Sequence, residues 1–160
     1  MSSYMHFFVR VGNAFAPIAT YSRSSKVYCA FEHCAPYEKI RALQLKDLDE
    51  AEVDFRENIE SCQKCIEREK AKLEWLKTAN FSSEERMDLY YECAQSIEEY
   101  EEDLLQLERG LTFCSFLRDM ISEAEDEVEY GKNPLGLDPA AYIYIGIECG
   151  SHPTLEDLEK

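Results

Sequence analysis

The stretch from Asp47 to Tyr130 constrains the fold most, because apolar residues recur along it mainly at alternating steps of three and four. This period of about 3.5 residues is typical of helices that pack along a seam. The seam positions are Leu48, Phe55, Ile59, Cys62, Ile66, Leu73 and Leu76 in the first half, then Met87, Tyr90, Ala94, Ile97, Leu104, Leu107, Leu111, Cys114, Leu117, Ile121 and Val128. The sequence therefore predicts two long helices folded back on each other.

Two capping boxes are predicted at the starts of these helices. Asp47 with Glu50, and Ser82 with Glu85, have the spacing at which each side chain accepts a backbone N–H from the other residue. We expect the first helix to run from Asp47 to about Thr78, a length of about 50 Å at 1.5 Å per residue. A short polar loop then leads into the return helix.

Gly110 interrupts the return helix. Glycine inside a helix costs about 1 kcal/mol relative to alanine, so we expect a kink or break there. Residues 111–130 are apolar on more than one side, which indicates greater burial. We expect this segment to pack on the rest of the protein.

The N-terminal residues predict a β-hairpin. Residues 4–11 are rich in aromatic and β-branched side chains, and residues 14–21 form the expected partner strand. Gly12 with Asn13 between them suits a tight turn. Pro17 lacks a backbone N–H, so its strand should lie at an edge or carry a bulge.

Further elements complete a compact base. A short helix is predicted to begin after hydroxyl side chains at 22–25 and to end at Pro36, and a short strand is predicted at 39–43. Residues 141–147 alternate aliphatic and tyrosine side chains. They should join the hairpin in an antiparallel sheet, with Gly146 at a bulge or a close backbone contact.

The predicted fold class is α+β: a small antiparallel sheet of three or four strands with a short helix and a long projecting antiparallel, coiled-coil-like helical hairpin. Residues 1–46 and 131–150 form the base, and residues 47–130 form the hairpin. A turn-rich linker spans 131–139. We expect residues 151–160 to be a mobile polar tail.

The net charge of −16 is distributed unevenly. Residues 80–130 hold sixteen acidic and three basic side chains, whereas residues 1–46 hold six basic and two acidic ones. Such a field repels nucleic acid along the second helix and attracts basic protein surfaces. We therefore expect no direct nucleic-acid binding.

The seven cysteines predict reduced thiols in the cytoplasm. Their number is odd, and the start of the chain lacks the basic flank and apolar run of a secretion signal. The sequence also has no apolar run near the ~20 residues that span a bilayer, so no membrane is expected.

We predict no metal centre and no cofactor, although two sets of cysteines leave that question open. Cys62 and Cys65, three apart on a helix, could share a zinc ion with Cys93 nearby, but a fourth ligand is missing. Cys29, His33 and Cys34 form the second set, which needs a distant partner such as Cys149 or His6. Burial of small apolar thiols is the favoured interpretation of both sets.

No catalytic motif is present. The chain lacks the phosphate-binding, dinucleotide-binding and nucleophile-elbow patterns, and no glutamate is followed by a histidine three residues later, as di-iron bundles require. The acidic run at 98–103 belongs to an exposed helical surface, where the pKa of a carboxyl group is not tuned for acid–base work. We expect a protein that is not an enzyme.

The leading hypothesis is a non-catalytic protein-interaction module whose acidic hairpin docks on a basic protein partner. No motif matches a known family residue by residue. In style, a short, acidic, tyrosine-rich chain resembles the small proteins that phages encode to disable host enzymes, and this resemblance implies an inhibitor that imitates nucleic acid. The candidate partner-binding residues are Glu84, Glu85, Asp88, Glu92, Glu98, Glu99, Glu101, Glu102, Asp103 and Glu108.

Two alternatives stay open. The first is a protein that binds or sequesters a small anion or nucleotide through bases and aromatics of the base. Its candidate ligand-binding residues are Arg10, Arg23, Lys26, Tyr28, Lys39, Arg41, Tyr142 and Tyr144. The second is a self-associating structural protein, a homo-oligomer formed through the hairpin, because Glu52 and Glu69 in an apolar seam can set register or partner choice.

Overall fold

The computed structural model describes residues 3–133 and 136–160 and has the predicted α+β architecture. A four-stranded antiparallel sheet packs against two long helices. Pro134 and Leu135 of the predicted linker lie outside the described residues. The strands are β1 Tyr4–Val11, β2 Ala14–Ser22, β3 Arg41–Ala42 and β4 Ile143–Ile147. The helices are α1 Lys26–Phe31, α2 Leu45–Thr78 and α3 Ser83–Glu129. Short 3₁₀ turns span Glu32–Cys34, Pro139–Ala141 and Leu155–Asp157.

The β1–β2 hairpin has the predicted turn and the predicted irregularity. Gly12 adopts a φ of 62° in the turn, a conformation that glycine enters without a steric penalty. The strand pairing shifts between Phe7 and Phe8, opposite Pro17, and β2 is an edge strand. Both features remove the need for a backbone N–H at the proline, so the expectation for Pro17 is confirmed.

Strand β4 lies at the centre of the sheet, between β1 and β3, and all of its residues are buried. At Gly146, a Cβ would come closer than 3.0 Å to the Lys39 carbonyl oxygen and the Cys149 sulfur. The close backbone contact expected at this glycine is therefore confirmed. Helix α1 is also as expected, because the Ser25 hydroxyl accepts the Val27 N–H at 3.1 Å.

Helix α2 starts earlier than the sequence indicated. It begins at Leu45, and the Asp47 carboxylate accepts the backbone N–H of the N-cap residue Gln44 at 2.9 Å. Asp47 is therefore the third residue of the helix, and the predicted box of Asp47 with Glu50 was wrong. The predicted end at Thr78 is confirmed.

Helix α3 is continuous through Gly110, so the predicted break was wrong. Its N-terminal box is confirmed, with the Ser82 hydroxyl and the Glu85 N–H 3.2 Å apart. Gly110 is buried where the Phe55 ring of α2 meets α3, and a Cβ would lie closer than 3.0 Å to three ring carbons. The absence of a side chain at Gly110 therefore allows the two helices to pack closely.

The C-terminal half of α3 packs on the base, as predicted for residues 111–130. The Phe113 ring lies edge-to-face against Phe7 at a centroid distance of 4.9 Å and against Tyr21 at 5.2 Å. Aromatic pairs in this geometry add about 0.5–1.5 kcal/mol to the stabilisation from burial. These contacts fasten the hairpin to the sheet.

The seam of α2 is confirmed, but part of the α3 seam was assigned wrongly. Met87 is 55% exposed and Tyr90 is 50% exposed, while Cys93 is buried and Leu89 is half-buried. Val128 is also exposed. Cys93 is hydrogen-bonded to Glu69 of α2, so it marks the face of α3 that meets α2 near the tip, and Leu89 lies one turn away on the same face.

The chain end packs on the base, so the expectation of a mobile tail at 151–160 was wrong. The Ile40 N–H donates to the Asp157 carbonyl at 2.8 Å, and the Glu159 N–H donates to the Ile40 carbonyl at 2.8 Å. Leu158 packs on the outer face of the sheet, against a cluster that contains Phe8 and Phe15. The outer face is therefore partly covered.

Across residues 3–133 and 136–160, no helix combines the length and the apolarity needed to cross a bilayer.

Candidate functional site

The acidic residues predicted on α3 lie on its outer surface, with one exception. Asp103 is half-buried, and its carboxylate is 3.7 Å from the ammonium group of Lys26 on α1. Glu85 is exposed but also serves in the helix cap. The exposed members are Glu84, Glu85, Asp88, Glu92, Glu98, Glu99, Glu101, Glu102 and Glu108.

Five of these residues form a line along α3, which we call the acidic stripe: Glu84, Asp88, Glu92, Glu99 and Glu102. Gln95 fills the gap at the same helical spacing, and steps of three and four place side chains on one face. The stripe lies opposite the face that carries Cys93 against α2. It is about 27 Å long at 1.5 Å per residue.

The two long helices differ in how their acidic side chains are neutralised. On α2, Glu60 pairs with Lys64 at 3.1 Å, Glu69 with Lys72 at 3.0 Å, and Glu74 with Lys77 at 2.9 Å. Within the described part of the chain, no stripe residue has a basic group within 4.0 Å. The unneutralised charge is therefore concentrated on α3.

Two tyrosines beside the stripe were not predicted as interaction residues. Tyr91 is 63% exposed and Tyr90 is 50% exposed, and their rings are 6.0 Å apart. Tyr91 is one helical turn from Asp88, so it borders the stripe. The sequence indicated that at least one of the two tyrosines would be exposed, because two consecutive residues on a helix cannot both face one seam.

The residues of the alternative ligand site are dispersed. The Arg10 guanidinium donates to the Tyr144 hydroxyl at 3.0 Å and lies over the Phe15 ring at 5.5 Å, on the outer face of the sheet. Tyr28 is buried in the main core instead, where burial, followed by the hydrogen bond to Tyr37, raises its pKa to about 12.

The other members of that set mostly have separate partners. Arg41 contacts the buried carboxylate of Asp47 at 3.1 Å, and Lys39 donates to the Glu156 carbonyl at 3.3 Å. Lys26 pairs with Asp103, as described above. Arg23 is exposed at the end of the β2 region and Tyr142 is half-buried before β4, so the eight residues do not surround one pocket.

A cleft of about 280 Å³ lies between α1, α2 and α3. Three thiols line it, from Cys29, Cys62 and Cys65. The Cys62 thiol donates to the Tyr100 carbonyl at 3.0 Å, and burial raises the pKa of Cys62. Its other lining residues are Lys26, Asp54, Asn58, Ser61, Tyr100, Asp103 and Leu107.

Cys93 does not complete a metal site with Cys62 and Cys65. Burial, followed by a hydrogen bond to Glu69, raises the pKa of the Cys93 thiol. Among the described residues, the one group of three or more His, Cys, Asp or Glu side chains with mutually close ligand atoms is His33, Cys34 and Asp47, whose atoms lie within 4.8 Å of one another. The sequence analysis grouped His33 and Cys34 with Cys29, which is not part of this group, and it missed Asp47.

No protein-family model, curated protein or solved structure matches this chain.

Proposed function

We propose that this protein is a non-catalytic interaction module that docks the acidic stripe of α3 on a basic surface of another protein. The observation that carries the proposal is the contrast between the long helices. Three acidic side chains of α2 are paired with lysines one turn away, whereas among the described residues no member of the stripe has a basic group within 4.0 Å. Charge repulsion along the stripe is relieved when a basic partner binds.

Electrostatic attraction supports rapid and salt-sensitive association. Charges at an exposed interface steer partners together and set orientation more than they add affinity. Their effect falls with ionic strength, since the Debye length is about 8 Å at 0.15 M and about 3 Å at 1 M salt. Binding through the stripe should therefore weaken strongly in high salt.

Tyr91 supplies the apolar contact that such an interface needs. Interface cores are enriched in aromatic side chains and depleted in charged ones, with polar residues at the rim. Tyr91 is exposed directly beside Asp88 and Glu92 of the stripe. We assign it to the core of the interface and the stripe to its rim.

The specific form of the proposal is a nucleic-acid mimic that occupies the DNA- or RNA-binding surface of its partner, as phage-encoded inhibitors do. Residues 98–102 hold four exposed carboxylates, two of which belong to the stripe, along about 7.5 Å of helix axis. Duplex DNA carries one charge per about 1.7 Å, which is a similar linear density. A nucleic-acid-binding protein is therefore the partner class that we propose.

We place this interaction in the cytoplasm. All seven cysteines, which lie within the described ranges, are free thiols, and free thiols persist in reducing compartments.

Affinity capture with a matched pair of variants tests the proposal. The stripe variant carries Asp88→Asn, Glu92→Gln and Glu99→Gln. The control variant carries Glu57→Gln, Glu60→Gln and Glu67→Gln on the exposed face of α2, so both lose the same charge. We expect wild type and control to retain the same basic protein at about 0.15 M salt and to release it at about 1 M.

The captured protein is then purified and titrated. We expect the stripe variant to bind it at least tenfold more weakly, a loss of about 1.4 kcal/mol, and duplex DNA or RNA to compete for the same surface. Equal binding by the stripe and control variants, or binding that is indifferent to salt, would contradict the proposal. Binding that depends on the stripe but is not competed by duplex DNA or RNA would contradict the mimic alone.

The two alternatives make different predictions for the same protein. A binder of small anions would show a nucleotide-sized mass increase in native mass spectrometry, lost on Arg10→Ala. A self-associating protein would show a mass in light scattering that rises with concentration. Arg10 is already engaged by Tyr144 and by the Gly12 carbonyl, and Glu52 is paired with Arg118 inside the hairpin. Because Arg10 and Glu52 already have partners within the chain, these contacts favour the interaction module over the two alternatives.

A further inference from the structure

His33, Cys34 and Asp47 bring a nitrogen, a sulfur and an oxygen ligand together from two parts of the chain. The first two residues belong to the 3₁₀ turn after α1, and Asp47 belongs to the first turn of α2. One ligand atom from each lies within 4.8 Å of the other two. We propose that these three residues bind one divalent transition-metal ion, with zinc as the expected occupant.

The chemistry of the ligands selects this class of metal. Zinc binds cysteine sulfur at about 2.3 Å, histidine nitrogen at about 2.0–2.1 Å and carboxylate oxygen at about 2.0–2.2 Å, in tetrahedral geometry. Calcium and magnesium prefer oxygen ligands alone. A mixed set of nitrogen, sulfur and oxygen therefore favours zinc, and three protein ligands leave the fourth position to water.

The Asp47 carboxylate keeps one oxygen for the metal. Arg41 and the Gln44 N–H both donate to the same oxygen, Oδ2, at 3.1 Å and 2.9 Å. These two contacts fix the orientation of a carboxylate that is almost fully buried. The other oxygen, Oδ1, is then the atom that binds the metal. The positive charge of Arg41 offsets the negative charge of Asp47 only.

Glu50 provides the hydrogen-bond partner that a metal-bound histidine normally has on its other ring nitrogen. Its carboxylate lies 2.8 Å from His33 Nε2. Metal-ligating histidines almost always donate their other ring N–H to a carboxylate, a carbonyl or water, which fixes the tautomer. With Glu50 on Nε2, the ring presents Nδ1 to the metal.

The site is open on one side and closed on the other. Cys34 and Asp47 are buried, whereas the His33 and Glu50 side chains are exposed to 40% and 60%. A metal ion can therefore enter from the side of His33 and Glu50. Once bound, it would cross-link the base to the start of the helical hairpin, so its expected role is to fix the hairpin on the base.

The experiment uses the whole 160-residue chain, stripped of metal with a chelator and then titrated with Co²⁺ and with Zn²⁺. Cobalt bound to a cysteine thiolate gives a near-ultraviolet charge-transfer band, which reports sulfur ligation directly. We expect this band to saturate at one equivalent and to disappear when Zn²⁺ is added. We also expect Zn²⁺ at about 100 times its dissociation constant to raise the melting temperature by roughly 5–10 °C.

Three variants locate the site. Cys34→Ser should abolish the band, whereas Cys114→Ser, at an equally buried cysteine of α3, should leave it unchanged. Because Cys34 lies in the core, the exposed His33→Ala provides a variant that keeps the fold, and its affinity should fall at least tenfold. Absence of the band in the folded wild type would overturn the proposal.

The cysteine variant that removes the band also distinguishes this site from the cysteine-lined cleft. A band that persists in Cys34→Ser but is lost in Cys62→Ser would overturn the proposal and assign the metal to Cys62 and Cys65. None of these measurements needs a partner protein. The metal site and the proposed docking function therefore stand or fall independently.

Discussion

The aromatic ring of Phe55 on α2 lies against the backbone of Gly110 on α3, at a point where no side chain fits. A Cβ on Gly110 would come closer than 3.0 Å to three carbons of the ring. Phe55 is fully buried, so the ring cannot move into solvent. This contact brings the two helices close together and explains a glycine in the middle of a continuous helix.

Replacing Gly110 with alanine should destabilise the protein even though alanine favours helix formation. Overpacking costs typically 1–3 kcal/mol, and the helical preference of alanine returns about 1 kcal/mol. We expect the free energy of unfolding, measured by urea titration, to fall by up to about 2 kcal/mol. In the double variant with Phe55→Leu, the loss should be smaller than the sum of the single losses, because the ring edge is gone; strict additivity would contradict this explanation.

The ion pair between Glu52 and Arg118 should stabilise the hairpin more than its neighbour does. Arg118 Nε is 2.6 Å from Glu52, whose side chain is 14% exposed, and the same guanidinium contacts Asp49, which is 68% exposed. We expect Glu52→Gln to lower the free energy of unfolding by about 1–2 kcal/mol. The control Asp49→Asn should cost less than about 1 kcal/mol, and equal costs would show that burial does not matter here.

The buried thiol of Cys114 should make the fold sensitive to alkali. Burial, followed by the charge of Glu52, raises its pKa from 9.0 to about 12. The folded state then holds a proton that the unfolded state has released, so its stabilising contribution is complete below pH 9 and is lost as the pH rises toward 12. The free energy of unfolding should fall above pH 9 by about 1.4 kcal/mol per pH unit for each such thiol.

Cys114→Ala should therefore flatten the dependence of stability on pH above 9, whatever its effect at neutral pH. Cys29→Ala is the matched control, since Cys29 is exposed. Urea titrations at several pH values measure both slopes. An unchanged slope in Cys114→Ala would contradict the prediction.

The chain end should contribute to stability through Leu158. This side chain packs on the cluster of Phe8, Phe15, Ile40 and Tyr144, whereas Leu155 is 41% exposed. We expect Leu158→Ala to cost about 1–2 kcal/mol from lost apolar burial and Leu155→Ala to cost less than about 0.5 kcal/mol. Equal melting temperatures for the two variants would indicate that the chain end does not hold the sheet.

The candidate site was predicted only in part. The acidic residues of α3 were identified from the sequence because helical spacing and charge are local properties. The exposure of Tyr90 was missed, because two overlapping apolar rows near the tip satisfied the same period. Asp47 was interpreted as a helix cap, and its closeness to Cys34 depends on how the 3₁₀ turn packs against α2.

Most helices and strands of this protein could be predicted from local patterns in the sequence. Alternation in strands, the 3.5-residue seam, the proline at the edge and the Ser82–Glu85 cap are set by residues near one another in the chain. Contacts between distant segments explain why Gly110 is a glycine, which carboxylates are neutralised and which side chains lie close to His33. Those features depend on distances between segments far apart in the chain, and local spacing carries no information about such distances.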